Sequence, residues 1–314
     1  MARTIKEYIS IALKGCAMGA ADVVPGVSGG TIAFISGIYE ELLGSIKSVD
    51  IDALKLLLSL RLREFWQKIN GNFLLALFCG IALSILSLAK VMTYLLENHP
   101  ILIWSFFFGL IVASSMLIFK EIRKFNLLSA AAIIIGATAA YFITVMSPAQ
   151  TPNDWWFIVL CGAIAICAMI LPGVSGSFLL LLMGKYLYIL TALSSLDVVV
   201  IALFVVGAVI GIISFSHVLS WLLKNFHTAT ISLLTGFMIG SLNKVWPWKE
   251  VIQTTVNSHG KLVPLVERNI SPFQHEAING EPSQLLFAVV MAMVGIATIY
   301  IVERVGNEAK NKNN

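Results

Sequence analysis

The chain has 314 residues, of which 58% are hydrophobic and only 12% are charged, and its mean hydropathy is +0.88. About a quarter of the residues in a soluble globular domain are charged, so this composition excludes a soluble protein and indicates one embedded in a membrane. The net charge of +4 comes from lysines and arginines concentrated in particular loops, which is typical of membrane topology rather than of nucleic-acid binding.

The first predicted element is a broken segment over residues 9–46, which contains the run DVVPGVSGGTIAF at residues 22–34. Its proline and glycines interrupt an apolar helix and favour a tight turn followed by a new helix. The first amides of a helix have no partner within the helix and lie at the positive end of its dipole, which suits an anion such as phosphate. The predicted phosphate ligands of this turn are Gly26, Val27, Ser28, Gly29, Gly30 and Thr31.

An insertion at residues 47–70 follows, in which basic residues lie between leucines. This pattern predicts an amphipathic helix on the inner membrane surface, with a short buried helix as the alternative. Three apolar runs come next, each long enough to cross about 30 Å of hydrocarbon as a helix. Their predicted bounds are 73–97, 101–119 and 127–146.

A second broken segment, residues 155–194, contains the run MILPGVSGSFLLL at residues 169–181. The same argument predicts phosphate ligands at Gly173, Val174, Ser175, Gly176 and Ser177. The remaining predicted elements are the spans 198–223 and 228–244, a long outer loop at 245–283, a last span at 284–303 and an inner tail.

The two broken segments indicate an internal duplication, with residues 1–147 and 148–314 as its halves. They match at an offset of 147 residues, from Pro25 to Pro172, and the offset becomes 127 from residue 80 onward because only the first half has the insertion.

Loop charges predict how the two halves are oriented. If each broken segment enters and leaves the membrane on one side, each half crosses three times, and the basic loops all lie on the same face. The second half is then inverted relative to the first, and both termini are cytoplasmic. The predicted fold class is an all-α polytopic membrane protein with two inverted repeats, each a re-entrant helical hairpin plus three transmembrane helices, which is typical of transporters.

Ionisable residues within apolar segments are costly unless they are paired or face water. Lys90 and Lys185 are predicted to help neutralise the phosphate, and Asp22, Glu40 and His217 are candidates for proton coupling. Local roles stay open: Lys185 and Glu40 can reach the membrane interface, and His217 can be a hydrogen-bonded packing residue.

One motif raises the question of catalysis. Residues 26–29, GVSG, satisfy the GxSG pattern of intramembrane serine proteases, with His217 as the histidine within an apolar span available as a base. The serine motif is duplicated whereas the histidine is not, so Ser28 is interpreted as a ligand or helix cap. The sequence has no P-loop or metal-spaced His/Glu cluster, and its four cysteines lack CxxC spacing. We therefore predict no enzyme, no metal and no cofactor.

The stretches GAADVVPGVSGGTIAFISGIYEEL (residues 19–42) and LPGVSGSFLLLLMGKY (residues 171–186) resemble the polyprenyl-phosphate transporter family, long catalogued as a bacterial membrane domain of unknown function. The resemblance covers nearly the whole chain. It implies a flippase that returns undecaprenyl phosphate, the lipid carrier of peptidoglycan and surface-polysaccharide synthesis, from the outer to the inner leaflet of the bacterial cytoplasmic membrane. The partners it implies are this lipid and membrane lipid, with no nucleic acid.

The residues alone leave two other functions open. One is an ion-coupled transporter of a small soluble anion, which would use the same turns. The other is an intramembrane hydrolase that acts on a lipid phosphate or a peptide.

Overall fold

The computed structural model describes residues 3–22, 29–122, 125–146, 151–172, 175–256 and 262–311. The chain is mostly helical, which confirms the predicted class of helical membrane protein. Its helices are α1 (Ile5–Asp22), α2 (Gly29–Ile35), α3 (Tyr39–Lys47), α4 (Ile51–Leu58), α5 (Leu62–Lys68), α6 (Gly71–Asn98), α7 (Pro100–Lys120), α8 (Leu127–Val145), α9 (Trp155–Ile170), α10 (Gly176–Leu182), α11 (Tyr186–Ser194), α12 (Val198–Asn225), α13 (His227–Ser241), α14 (Pro272–Asn279) and α15 (Leu285–Asn311).

The loop after α13 contains an element that the sequence analysis did not predict. It contains two antiparallel strands, β1 (Lys249–Val256) and β2 (Leu262–Asn269), with Lys249 opposite Asn269. Both strands are rich in β-branched and aliphatic residues, which favour extended backbone. The protein is thus mostly helical, with one β-hairpin in the loop after α13.

Within the described residues, three helices are long and apolar enough to cross a membrane, namely α7, α8 and α12. A fourth candidate is the bent pair of α5 and the first part of α6, whose axes differ by 71°. Helix α13 has 15 residues, about 23 Å at 1.5 Å per residue, and is therefore shorter than a typical hydrocarbon core. The fuller set of six spans stays a prediction.

The insertion at residues 47–70 forms two short helices, α4 and α5, instead of one. Asp50 caps α4 by accepting a hydrogen bond from the amide of Ala53 at 2.8 Å. Leu54, Leu58 and Leu62 are exposed, as expected of helices that rest an apolar face on lipid. Their position on the inner membrane surface stays a prediction.

Within each half, glycines bring the same two helices into close contact. Helix α1 packs against α6, and α9 packs against α12. Gly80 lies directly against the carbonyl of Ala12, and Gly207 lies directly against the carbonyl of Val159. These contacts match residue for residue at the offsets of 127 and 147 found in the sequence, so each half builds the same helix pair.

The other close helix pairs cross from one half to the other: α7 packs against α15, and α8 packs against α13. Gly109 of α7 lies against the carbonyl of Ala292, while Gly236 of α13 lies against the carbonyl of Ile133. Exchanging the two halves therefore turns one interface into the other. Such exchange is what a two-fold relation between repeats produces.

Candidate functional site

The two broken segments have the same three-part structure. A longer helix (α1 or α9) stops at the break, a seven-residue helix (α2 or α10) follows it, and a nine-residue helix (α3 or α11) completes the segment. Two residues after each short helix comes a glycine, Gly37 or Gly184, whose φ angle of 72° or 65° is in the left-handed region that glycine adopts without strain. The repeated glycines in the sequence thus correspond to repeated turns.

The two broken segments contact each other. Gly30, in the first turn of α2, lies against the carbonyl oxygens of Met169 and Ile170 at the end of α9. The hydroxyl of Tyr39 donates a hydrogen bond to the carbonyl of Ile170 at 3.0 Å, and both residues are buried. The structure therefore brings the two predicted motifs together in the protein interior.

The starts of the two short helices differ in chemistry. Asp22 accepts a hydrogen bond from the backbone amide of Gly29 at 2.7 Å, so a carboxylate caps α2. Met169 occupies the equivalent position in the second half, and its side chain lies beside Gly176 at the start of α10. One half-helix thus begins at an acidic group and the other at a thioether.

Two hydroxyls lie at the start of α10. The Oγ atoms of Ser175 and Ser177 are 2.9 Å apart, and Ser175 is buried. Within the described part of the chain, the side chain of Ser175 makes no capping hydrogen bond to the first amides of α10. This turn consequently offers hydroxyl groups to a ligand without a nearby carboxylate cap of the kind seen at α2.

Several predicted ligands lie outside the described residues, namely Gly26, Val27, Ser28, Gly173 and Val174. Lys90 is on α6, but its side chain is also outside the described part. Thr31 is buried within α2. The role of all these residues stays a prediction.

Lys185 lies at the far end of α10 from its first turn. Its ammonium donates hydrogen bonds to the carbonyl of Thr151 at 2.7 Å and to Oδ1 of Asn153 at 2.6 Å. It also lies 5.8 Å from the ring centre of Phe157 and 5.6 Å from that of Tyr188. Lys185 is therefore buried in a polar and aromatic setting, and its part in phosphate binding stays a prediction.

The other two candidates for proton coupling are more exposed than Asp22. The Glu40 side chain is 73% exposed and its Oε1 lies 3.9 Å from Nε2 of His227. His217 is exposed on α12, where its Nδ1 lies 2.8 Å from the carbonyl of Ile213. Of the three candidates, Asp22 is the one at the break itself.

Sequence reasoning missed a group of charged residues formed by Lys249 and Glu267 of the hairpin and Lys244 just before it. The available signal was the mixed charge of the loop at 245–283, which was predicted only to lie on the outer side of the membrane. Among the described residues, no group of three or more His, Cys, Asp or Glu side chains is arranged to hold a metal ion.

Comparison with known proteins identifies the family. The family model described as undecaprenyl phosphate translocase-like matches residues 18–263, a range that includes both glycine-containing runs, residues 22–34 and 169–181. The chain belongs to this family. A polyprenyl-phosphate transporter of Vibrio cholerae is 48% identical over 304 residues, which cover 97% of this chain and 99% of the relative. A polyprenyl-phosphate transporter of Staphylococcus aureus is 31% identical over 259 residues, which cover 77% of this chain and 87% of the relative.

Membership in the undecaprenyl phosphate translocase-like family confirms the resemblance found in the two glycine motifs. The named relatives are transporters and not enzymes, which agrees with the prediction of no catalytic function. Together with the apolar helices, they identify a multi-pass membrane protein. No solved structure was found to match the chain.

Proposed function

We propose that this protein translocates undecaprenyl phosphate from the outer to the inner leaflet of the bacterial cytoplasmic membrane, with both termini in the cytoplasm. Its family and its two named relatives support the substrate class. The observation that carries the proposal is the contact between the broken segments, where Gly30 meets the carbonyl of Ile170. Irregular backbone at membrane depth persists only when it is buried in protein or lines a wet cavity, so two such breaks in contact suit a substrate path.

A phosphate headgroup cannot cross hydrocarbon unaided at a useful rate, because a charged group loses its hydration there. The turns at 25–31 and 172–178 would replace that hydration with backbone amides and hydroxyls. The isoprenoid tail would stay in the lipid throughout. The protein then has to carry only the headgroup through its interior.

The two turns take different roles in this proposal. The phosphate binds beside Ser175, Gly176 and Ser177, since the Asp22 carboxylate at the start of α2 repels an anion while it is ionised. Protonation of Asp22 removes that repulsion and couples proton movement to phosphate movement. Glu40 and His217 are weaker candidates because both are exposed.

The two halves are proposed to be inverted repeats. The matched contacts of Gly80 and Gly207, and the crossed contacts of Gly109 and Gly236, support a two-fold relation between them. The confinement of basic loops to one predicted face supports inversion over a parallel arrangement. Inversion would let the two turns approach the membrane centre from opposite sides, as alternating access requires.

Translocation in liposomes tests the proposed function. Purified protein is reconstituted, fluorescent undecaprenyl phosphate is placed in the outer leaflet, and a membrane-impermeant quencher measures the label that remains accessible. We expect protein-dependent protection of the lipid phosphate, and no faster movement of the uncharged polyprenol than in empty liposomes. Lipid phosphate movement at the rate of empty liposomes would contradict the proposal.

Two further readouts separate the other functions. Competition by inorganic phosphate but not by unlabelled lipid phosphate would favour a transporter of a soluble anion. Release of inorganic phosphate without translocation would favour a hydrolase.

A further inference from the structure

A polar cavity of about 340 Å³ lies between the end of α8, helix α10 and the β-hairpin. It is separate from the contact between the broken segments, although Phe178 of α10 lines it. Its charged and amide-bearing lining residues are Asn243, Lys244, Lys249, Glu267, Arg268 and Asn269. The cavity is therefore lined by more basic than acidic side chains.

Among the residues that the structure describes, the ion pairs of this cavity leave one positive charge without a partner carboxylate. Lys244 Nζ and Lys249 Nζ lie 3.2 Å and 3.1 Å from the same oxygen, Oε2 of Glu267. One carboxylate neutralises one ammonium, and Arg268 leaves the balance unchanged because it pairs with Glu250 at 2.6 Å. Both lysine side chains are largely buried, with 19% and 8% exposed. A buried charge in excess is costly, so this cluster favours an added anion.

The two ammonium groups are held in place by their surroundings. Lys244 Nζ lies 4.7 Å from the ring centre of Phe178, and Lys249 Nζ lies 4.4 Å from that of Trp104. Lys249 also donates a hydrogen bond to the carbonyl of Lys244 at 2.9 Å. Donors that are already oriented lose less conformational entropy when they bind a ligand.

An apolar groove of about 470 Å³ between α8 and α13 adjoins the polar cavity, because Tyr141 and Asn243 line both. The other residues of the groove are Ala137, Thr138, Phe142, Ile239 and Gly240. A cationic cavity next to an apolar groove is complementary to a ligand with an anionic head and a hydrocarbon tail. A free phosphate ion would match the cavity alone.

We propose that this cavity is a docking site for the headgroup of the lipid substrate. Lys244 and Lys249 bind the phosphate monoester, and the groove between α8 and α13 receives the first isoprene units of the tail. The assignment rests on the proposed function, since the predicted outer position of the loop at 245–283 puts the cavity on the side where the lipid is collected. Phe178 then links this site to α10, the helix that begins at Ser175 and Ser177.

Binding to the full-length protein in detergent tests the proposal, with farnesyl phosphate, farnesol and inorganic phosphate as separate probes. Lys244→Gln combined with Lys249→Gln should weaken farnesyl phosphate binding by about tenfold or more, because it removes two charged donors. Glu267→Gln should strengthen binding, because it removes the carboxylate that competes with the phosphate. Lys55→Gln is the matched control: this exposed lysine of the insertion pairs with Asp52, and its loss should leave binding unchanged.

A purely structural ion cluster predicts that Glu267→Gln weakens binding as the lysine changes do, and that result would overturn the proposal. Unchanged binding in a double lysine variant that unfolds at the wild-type temperature would overturn it as well. If the double variant does not fold, Lys244→Gln alone is compared with Glu267→Gln. The first should weaken farnesyl phosphate binding and the second should strengthen it. Inorganic phosphate binding as tightly as farnesyl phosphate would overturn the assignment to a lipid headgroup.

Failure of the docking site can be distinguished from failure of the proposed function. Wild-type protein that fails to translocate lipid phosphate in liposomes contradicts the proposed function, whatever the lysine variants bind. If the wild type translocates the lipid and the double lysine variant does so at the same rate at limiting substrate, the docking site alone is contradicted.

Discussion

The Asp22 carboxylate lies 2.7 Å from the backbone nitrogen of Gly29, across the break between α1 and α2. Met169 takes the equivalent place in the second half, beside Gly176. The duplication therefore places different chemistry at the starts of the equivalent helices α2 and α10. In the proposed mechanism, Asp22 takes up a proton at the start of α2, and the phosphate binds at the start of α10.

Asp22→Asn should remove the pH dependence of lipid phosphate translocation while leaving the protein folded. Asparagine keeps an oxygen that accepts the Gly29 amide, so we expect the stability to change by less than about 1 kcal/mol. Asp22→Ala removes the cap as well and should cost about 1 kcal/mol more. Translocation is measured in liposomes over a pH series, and a wild-type pH profile for Asp22→Asn would rule out proton coupling at this residue.

Tyr39→Phe should weaken the contact between the broken segments, because its hydroxyl donates to the buried carbonyl of Ile170. Loss of a buried hydrogen bond typically costs about 1 kcal/mol, so the unfolding temperature should fall and translocation should slow. Tyr186→Phe is the control, since Tyr186 is the repeat counterpart and is exposed. Equal effects of the two changes would argue against a special contact at Tyr39.

Gly80→Ala and Gly207→Ala should destabilise the protein to a similar extent, about 1–3 kcal/mol each. An added Cβ would overlap the carbonyl of Ala12 in one case and that of Val159 in the other. Gly44→Ala is a control of opposite sign. Among the described residues, no atom outside its own helix backbone lies within 4 Å of the added Cβ, so helix propensity should stabilise the protein by about 0.5–1 kcal/mol. Unfolding temperatures in detergent measure all three, and unequal losses at Gly80 and Gly207 would contradict the matched helix pairs.

Farnesyl phosphate binding should weaken as the pH rises through about 8. Burial lowers the pKa of Lys249 to about 8, Glu267 raises it and Lys244 lowers it. The Trp104 ring and the carbonyl of Lys244 also lie against the ammonium. Lys249 is therefore charged below this pH and neutral above it, whereas a phosphate monoester, with its second pKa near 6, keeps its charge. The farnesyl phosphate affinity of the Lys249→Gln variant should change little between about pH 7.5 and about pH 9.5, on either side of the lysine pKa.

The same pKa makes a prediction of opposite sign for stability. Because the folded pKa of Lys249 is about 8 and that of an unfolded lysine is about 10.4, the unfolded chain binds more protons between these values. The contribution of Lys249 to stability should then rise with pH across that window. The measurement is the difference in unfolding free energy between the wild type and Lys249→Gln as the pH rises. If the wild type loses stability relative to the variant across this window, the buried position of the Lys249 ammonium is contradicted.

Much of the fold followed from the sequence because duplication and hydropathy are local, repeated signals. The turns at Gly37 and Gly184, and the glycines Gly80 and Gly207 at helix contacts, occupy positions that the offsets of 147 and 127 had already aligned. The β-hairpin was not foreseen, because short strands in a polar loop lack the long apolar pattern of membrane helices.

The candidate site followed from the sequence only in part. The motifs predicted that the two broken segments are copies of one element. The contact of Gly30 with Ile170, however, depends on how helices that are distant in the sequence pack. The cluster of Lys244, Lys249 and Glu267 likewise forms only when β1 and β2 pair, which brings Glu267 beside the two lysines. The difference between Asp22 and Met169 was present at the offset of 147, yet its meaning required the hydrogen bond to Gly29.

The most direct test of the central claim is translocation by a variant of the second turn. Ser175→Ala combined with Ser177→Ala removes two hydroxyls that lie 2.9 Å apart and leaves the backbone unchanged, while Ser195→Ala alters an exposed serine near the end of the same broken segment. We expect the double variant to slow lipid phosphate translocation by about tenfold or more, as loss of two hydrogen bonds to a charged group would, and Ser195→Ala to match the wild type. A folded double variant that translocates the lipid at the wild-type rate would contradict the claim that the phosphate passes between the two broken segments.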